Sequence, residues 1–189
     1  FRPIVAGWKI LFLRQDALEP DSTKSAAWNR GRYLVEGLGH CGSCHTPRNV
    51  LGGEKKSSAY AGGVAEGWNA PPLNASLATT HKWTVDQLAE YLSTGWHKLH
   101  GAAAGPMADV AKNLGRASQD DVRAIATYIA SLSPGTEGVK AEVPAGGRVL
   151  KDQPADMIAI YNGACAKCHN DRQDVGPSQA ISLAYSTTL

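Results

Sequence analysis

Two copies of the pentad Cys-x-x-Cys-His carry the clearest chemical signal in this chain of 189 residues. They lie at residues 41–45 (CGSCH) and 165–169 (CAKCH), and together they contain all four cysteines. In this pattern the two thiols bond covalently to the edge of a haem, and the histidine supplies one axial nitrogen to the iron. The spacing therefore predicts two haem c groups, with His45 and His169 as iron ligands. The cysteines expected to hold them are Cys41, Cys44, Cys165 and Cys168.

Paired cysteines also occur in thioredoxin-like redox sites and in zinc sites. The ligand pairs of a structural zinc site usually stand close in sequence, whereas more than half of the chain separates these two pairs. Zinc also leaves the histidine after each second cysteine unexplained. A thioredoxin site needs a strand before the pair and a helix after it, which neither pentad shows. The sequence therefore favours covalent haem over both alternatives.

The second axial position of each iron needs a ligand, and a methionine there suits electron transfer. The chain has two methionines. Met107 follows a Gly-Pro pair after a long irregular stretch, and we predict that its sulfur binds the first iron; the alternative is a methionine that fills the core. Met157 lies on the segment that presents the second pentad and is interpreted as a core residue. The second iron has no evident sixth ligand in this chain.

Four histidines stand outside the pentads, and imidazole is a common metal ligand. They are His40, His81, His97 and His100. We interpret His40 as a surface or packing residue, and His97 and His100 as loop histidines. His97 or His100 is the next candidate if Met107 does not bind iron.

Two residues just after the first pentad have expected supporting roles. A carbonyl near Pro47 is expected to accept the ring N–H of His45 and fix its tautomer. Arg48 is either a partner for a haem propionate or an ordinary exposed arginine.

Twenty glycines and ten prolines indicate short helices joined by long loops. The formal charge of +2 omits the haem propionates, so it gives no support for a nucleic-acid partner. Residues 4–13 form the most apolar stretch, which is too short to span a bilayer. We interpret it as a segment packed on a neighbouring domain or subunit, with an interfacial membrane contact as the alternative.

Helical patterns surround the two pentads. Residues 25–38 form a predicted helix that runs into the first pentad, and residues 46–81 are predicted to be loop. The residues of this helix expected to share one broad face are Trp28, Gly31, Tyr33, Leu34 and Leu38. Three more helices are expected: one after the capping-box sequence that starts at Thr84, one over residues 107–114, and one after Ser118. The run before the second pentad repeats the run before the first, so the chain contains an internal repeat.

Several of these stretches resemble a known family. Residues 31–40 (GRYLVEGLGH) and 46–48 (TPR) flank the first pentad as in the middle haem domain of three-haem cytochrome c subunits of bacterial membrane-associated dehydrogenases. Residues 105–107 (GPM) and 121–128 (DVRAIATY) strengthen the resemblance. Residues 67–74 (GWNAPPLN) look closest to the cytochromes that are paired with molybdenum enzymes.

The resemblance implies an all-α fold of tandem class I cytochrome c domains, with long loops around covalent haem. Residues 25–134 correspond to a complete domain. Residues 1–24 correspond to the tail of a preceding haem domain with its linker, 135–152 to a second linker, and 153–189 to the start of a further domain. A third haem is implied for the full-length protein.

The implied function is that of a multihaem electron-transfer subunit in a respiratory chain, passing electrons from a periplasmic dehydrogenase subunit to ubiquinone or a terminal oxidase. The catalytic partner would be a molybdenum enzyme acting on aldehydes or N-heterocycles, a quinoprotein or a flavoprotein, with an iron–sulfur subunit as a further candidate. The implied location is the periplasmic face of the bacterial inner membrane, with attachment either peripheral or through segments outside this chain.

Two other functions stay open at this point. A dihaem cytochrome c peroxidase would need one iron with an open site, and the missing sixth ligand of the second haem is compatible with that. A free-standing soluble dihaem carrier would need no partner subunit. For an electron-transfer subunit, no catalytic site within this chain is expected.

Overall fold

The computed structural model describes residues 2–13, 17–74, 83–97, 99–133 and 155–165. The α-helices in these ranges are α1 (Arg2–Phe12), α2 (Ala26–Tyr33), α3 (Gly42–His45), α4 (Val85–Thr94), α5 (Pro106–Leu114), α6 (Gln119–Ser131) and α7 (Ala155–Ile160). Two π-helical turns follow α2 and α7, at Leu34–Leu38 and Tyr161–Cys165, and a 3-10 turn spans Lys56–Ser58. The strands are β1 (Gly63–Ala65), β2 (Trp68–Ala70), β3 (Trp96–His97) and β4 (Gly101–Ala102). None of the helices in the described ranges has the length and apolar character needed to cross a membrane.

The predicted helix starts are confirmed by their side-chain caps. Helix α4 begins with a complete capping box, in which Thr84 accepts from the backbone of Gln87 and the Gln87 side chain accepts from the backbone of Thr84. Ser25 caps α2 and Ser118 caps α6 in the same way, through bonds from backbone N–H groups in the first turn. Helix α4 ends at Gly95, which has a φ of 75°.

The core of the domain lies where α2, α4 and α6 meet. Gly31 of α2 lies so close to α6 that a Cβ built on it would be 1.9 Å from the carbonyl oxygen of Ala124. A hydrogen bond also joins α2 to α6: the indole N–H of Trp28 donates to the hydroxyl of Ser131 over 2.7 Å. The buried residues of this core are Leu34, Val35, Leu88, Leu92, Val122, Ile125, Ala126, Tyr128 and Ile129.

One part of the predicted helix before the first pentad was wrong in detail. The expected apolar face included Tyr33 and Leu38, yet these side chains are 46% and 66% exposed, whereas Val35 is fully buried. Tyr33 precedes the π-helical turn, and ordinary α-helical spacing already places it away from Gly31, which faces α6. For Leu38 the reason is the π-helical turn over Leu34–Leu38, closed by a bond from the Gly39 N–H to the Leu34 carbonyl. An extra residue in the turn shifts the register by which α-helical spacing assigns faces.

The predicted loop at 46–81 contains a short hairpin in its described part. Strands β1 and β2 pair antiparallel through Gly63 with Ala70 and Ala65 with Trp68. Glu66 and Gly67 form the two-residue connection with φ values of 51° and 80°, the backbone that favours tight hairpins. Strands β3 and β4 form a second small antiparallel pair. The fold is mostly helical with these two small additions.

Helix α1 packs on the loop that follows the first pentad. The Trp8 indole N–H donates to the Leu51 carbonyl over 2.9 Å, and the Phe12 ring lies against Gly53. Other apolar side chains of α1, including Ile4 and Ile10, are exposed. The predicted linker at 135–152 lies outside the described residues.

Candidate functional site

The first pentad is held directly by the core. The N–H of Cys41 donates to the Val35 carbonyl over 3.1 Å, which joins the pentad to the π-helical turn. His40 turns the chain between the two with a φ of 37°. The short helix α3 then brings the side chains of Cys41, Cys44 and His45 within little more than one turn. Both cysteines are free thiols, and Cys41 packs against the core.

The hydrogen bond made by His45 determines which of its nitrogens could bind iron. Its Nδ1 lies 2.7 Å from the carbonyl oxygen of Pro71. Because a carbonyl only accepts, Nδ1 carries the proton and Nε2 keeps its lone pair. Burial lowers the pKa of His45, partly offset by the Pro71 carbonyl, which favours the neutral imidazole that a metal requires. The expected acceptor near Pro47 is therefore replaced by Pro71, which strand β2 brings to the histidine.

The thiol of Cys41 does not resemble a thioredoxin-like nucleophile. Burial raises its pKa to about 11, and the nearby Cys44 adds to the shift. Redox-active cysteines of the thioredoxin type have lowered pKa values because the thiolate is the reactive form. Two thiols that form no disulfide, beside an imidazole whose Nε2 keeps its lone pair, fit haem c, in which thioethers hold the porphyrin and the histidine binds its iron.

The loop after the pentad is tied back to α3 by several contacts. The carbonyl of His45 accepts from the Gly62 N–H over 2.9 Å, and Gly63 approaches the Cys44 carbonyl so closely that a Cβ would lie 2.4 Å from it. The guanidinium of Arg48 donates to the carbonyls of Gly52 and Ser43 over 2.7 and 2.9 Å. Arg48 is exposed, as the second of its expected roles had it, and it also holds this loop to α3 through these two bonds. Its pairing with a haem propionate stays a prediction.

Met107 lies in the first turn of α5, directly after Pro106. Its side chain is half-buried and packs against the core. The preceding Gly105 has a φ of 53°, and the indole of Trp68 lies against it. The role of Met107 as the sulfur ligand stays a prediction, and its place at the start of a helix next to the hairpin is compatible with it.

The other histidines make contacts of their own. His97 is buried, and its Nδ1 accepts from the Leu99 N–H over 3.2 Å. The ring of His100 stacks on Trp83 with 3.5 Å between ring centroids. His40 is exposed. His97 was expected in a loop and instead lies buried in strand β3. The contacts of His97 and His100 are typical of structural histidines.

Part of the predicted site lies outside the described residues. This holds for Cys168, His169 and His81, and for the side chain of Cys165. Helix α7 and its π-helical turn reach the backbone of Cys165, so a helix with a π-helical turn precedes both pentads. Met157, which was expected in the core, is exposed in the described segment.

Sequence reasoning missed two residues near the pentad. Pro71 acts through its backbone, so its side-chain type gives no signal for the bond to His45. Trp68 stands next to a Gly in the sequence, a pattern that indicates a turn but not the partner of the ring.

The chain is similar to subunits of several bacterial dehydrogenases. Over its whole length it is 44% identical to a nicotinate dehydrogenase subunit of Pseudomonas putida, of which it covers 16%. It is 36% identical to the fructose dehydrogenase cytochrome subunit of Gluconobacter japonicus, over 89% of this chain and 38% of that protein. A diheme cytochrome c-type protein of Cereibacter sphaeroides is 44% identical over 68% of this chain and 43% of its own length. No family model matches the chain.

These relatives are all longer than the stretch they share with this chain, which spans less than half of each. Their similarity, together with a pentad whose thiols and imidazole fit haem c, leads to one assignment. The chain is homologous, over part of their length, to cytochrome c subunits of bacterial dehydrogenase complexes.

Proposed function

We propose that this chain is part of a multihaem subunit that carries electrons from a catalytic dehydrogenase subunit to ubiquinone or a terminal oxidase, at the periplasmic face of the inner membrane. The observation that carries the proposal is the bond from His45 Nδ1 to the Pro71 carbonyl, which leaves Nε2 free to bind iron beside two free thiols. Bound haem would supply one-electron chemistry at the iron. The protein would supply covalent attachment, axial ligands and a fixed position.

The proposed ligand set follows the two pentads. Cys41 and Cys44 hold the first haem, with His45 on one side of the iron and Met107 on the other. By the internal repeat, a second haem is attached at the second pentad, with His169 as its histidine ligand. The residues proposed to hold that haem are Cys165 and Cys168. A third haem is proposed for the full-length protein. The domain boundaries proposed are 25–134 for the complete domain, with parts of neighbouring domains at 1–24 and 153–189.

The proposed electron donor is a dehydrogenase subunit that oxidises an N-heterocyclic acid. Support comes from the nicotinate dehydrogenase relative, to which the whole chain is similar. Oxidation of such a ring by hydroxylation is chemistry typical of molybdenum enzymes, and an iron–sulfur subunit between the two is a further proposed partner. Sugar and alcohol dehydrogenases, named in other relatives, are the competing donors.

The test is made on the full-length subunit together with the proteins that purify with it. Intact mass counts the covalent haems, and the optical spectrum reports the spin state and the near-infrared band of a methionine–iron bond. Adding nicotinate to the purified complex should reduce the haems, whereas adding fructose or ethanol should not.

Two results would contradict the proposal. A high-spin iron with peroxide-dependent turnover and no partner protein would favour a peroxidase. Low-spin haems without any partner would favour a soluble carrier.

A further inference from the structure

Trp68 is the large aromatic residue of strand β2, and half of its surface is exposed. The other side of its indole lies against Gly105: a Cβ built there would be 2.6 Å from two indole carbons, Cδ2 and Cε2. Gly105 also has a φ of 53°, which favours glycine. Backbone geometry and packing therefore both favour glycine at position 105, the residue just before the first residue of α5.

The hairpin that carries Trp68 is anchored at its other end to the first pentad. Gly62 donates to the His45 carbonyl, and Gly63 lies against the Cys44 carbonyl. Strand β2 then leads to Pro71, whose carbonyl accepts from His45. One short hairpin thus contacts both the attachment helix α3 and the start of α5.

Methionine is a demanding ligand to position. Its side chain has three rotatable bonds, so the sulfur reaches a fixed point reliably only when its backbone is held. Met107 lies two residues after Gly105, in the first turn of α5. Through its contact with Gly105, the Trp68 ring links this turn to the hairpin and so to the pentad.

We propose that Trp68 is a positioning residue, which covers Gly105 and so holds Met107 at the distance from the pentad that iron binding requires. This inference rests on the proposed role of Met107 as the sulfur ligand. The indole itself touches neither the iron nor the sulfur in this proposal. Its effect is to lower the fraction of protein in which the methionine has left the iron.

The test uses the haem-loaded full-length subunit and the near-infrared methionine–iron band, followed over a range of pH. The part of the near-infrared band that is lost in Met107→Ala is the part that comes from the first haem. In Trp68→Ala, the fraction of protein in which the first haem gives no methionine–iron band should rise about tenfold near neutral pH. Trp68→Phe, which keeps an aromatic ring over Gly105, should restore most of that band. Val64→Ala is the matched control, because Val64 is an exposed apolar residue of the same hairpin.

The outcomes distinguish the ligand assignment from the positioning role. If Met107→Ala keeps the whole band, the ligand assignment is wrong and the inference ends with it. If Met107→Ala loses the band and Trp68→Ala keeps it at every pH, Met107 stays the ligand and the positioning role of Trp68 is wrong. Should Trp68→Ala fail to incorporate haem, Trp68→Leu gives the same comparison with a smaller apolar side chain.

Discussion

His45 and Tyr128 show how single polar contacts organise the region before and within the pentad. The Pro71 carbonyl selects the tautomer of His45, because only a protonated Nδ1 bonds to a carbonyl. Tyr128 of α6 donates its hydroxyl to Glu36 at the centre of the π-helical turn. Arg32 lies 3.7 Å from the other carboxylate oxygen. Side chains of α2 and α6 therefore hold the turn from which the pentad starts.

Replacing Tyr128 with phenylalanine tests this contact. Burial and the bond to Glu36 raise the pKa of Tyr128, so its hydroxyl stays protonated and donates. Tyr128→Phe removes the donor, and we expect the free energy of unfolding in urea to fall by about 1–3 kcal/mol. Tyr33→Phe is the matched control, because Tyr33 is 46% exposed, and its effect should stay within about 0.5 kcal/mol. Equal stability of the two variants would contradict the role assigned to Tyr128.

Asp121 offers a test in pH. Its carboxylate accepts from Arg30 over 2.7 Å, and this bond lowers the pKa of Asp121 below its ordinary value, with a further contribution from Ser118. A carboxyl with a lowered folded-state pKa stabilises the fold above its ordinary pKa, and the effect is lost as the pH falls through the lowered value. Asp121→Asn should therefore be less stable than wild type at neutral pH and converge with it in acid.

The control for that comparison is Asp120→Asn, which changes an exposed carboxylate in the same first turn of α6. Circular dichroism during urea unfolding at a series of pH values gives both curves. If the free energies of unfolding of wild type and Asp121→Asn still differ in strong acid, the charge of Asp121 is not the cause of the difference.

Among the elements, the crossing of α2 and α6 places the tightest demand on the sequence. Glycine at position 31 lets the two backbones approach, and the buried faces of both helices close around this point. The π-helical turn then redirects the chain from α2 into the pentad. A substitution that pushes α2 away from α6 would therefore shift the attachment helix α3 as well as weaken the core.

Gly31→Ala tests the crossing. A Cβ at this position would meet the Ala124 carbonyl at 1.9 Å, which forces a backbone shift. Overpacking of this kind costs about 1–3 kcal/mol or more in the free energy of unfolding. Gly37→Ala is the control, because a Cβ there has no neighbour within 4 Å. In urea unfolding, Gly31→Ala should have a much lower free energy of unfolding than Gly37→Ala. The opposite order would contradict the close packing of α2 on α6.

At the scale of the whole molecule, the described residues form one packed helical core next to the first pentad, and a helix with a π-helical turn leads into the second pentad. The relatives that this chain matches are much longer than the stretch they share with it. In the proposed electron-transfer role the number of haems in the full-length subunit matters, so haem count is the property to measure at this scale.

The number of haems can be counted by replacing the cysteine pair of one pentad at a time. We expect the double variant Cys41→Ala/Cys44→Ala of the full-length subunit to lose one covalent haem by intact mass, and Cys165→Ala/Cys168→Ala to lose one as well, because each pair is proposed to form the thioethers of its own haem. Ser43→Ala changes the first pentad without touching a thiol and serves as the control. An unchanged mass of bound haem in either double variant would contradict attachment at that pentad.

Short-range features of this protein follow from the sequence alone. The attachment pentads, the capping box at Thr84 and the cap at Ser118 are local patterns, because their partners lie within a few residues along the chain. The buried face of α6 follows from helical spacing in the same way. These features are readable without any knowledge of how distant segments meet.

Long-range contacts are decided only by the tertiary structure. The sequence placed the acceptor for His45 near Pro47, but folding of the hairpin brings Pro71 there instead. It gave no sign that Trp68 lies on Gly105, because the two residues are far apart in the chain. It also assigned Leu38 to the buried face, since a π-helical turn shifts the register without an obvious change of pattern. Residue spacing identifies the residues that carry the chemistry, because they lie close together in the chain. The residues that position them lie far away in the chain and are determined by the tertiary fold.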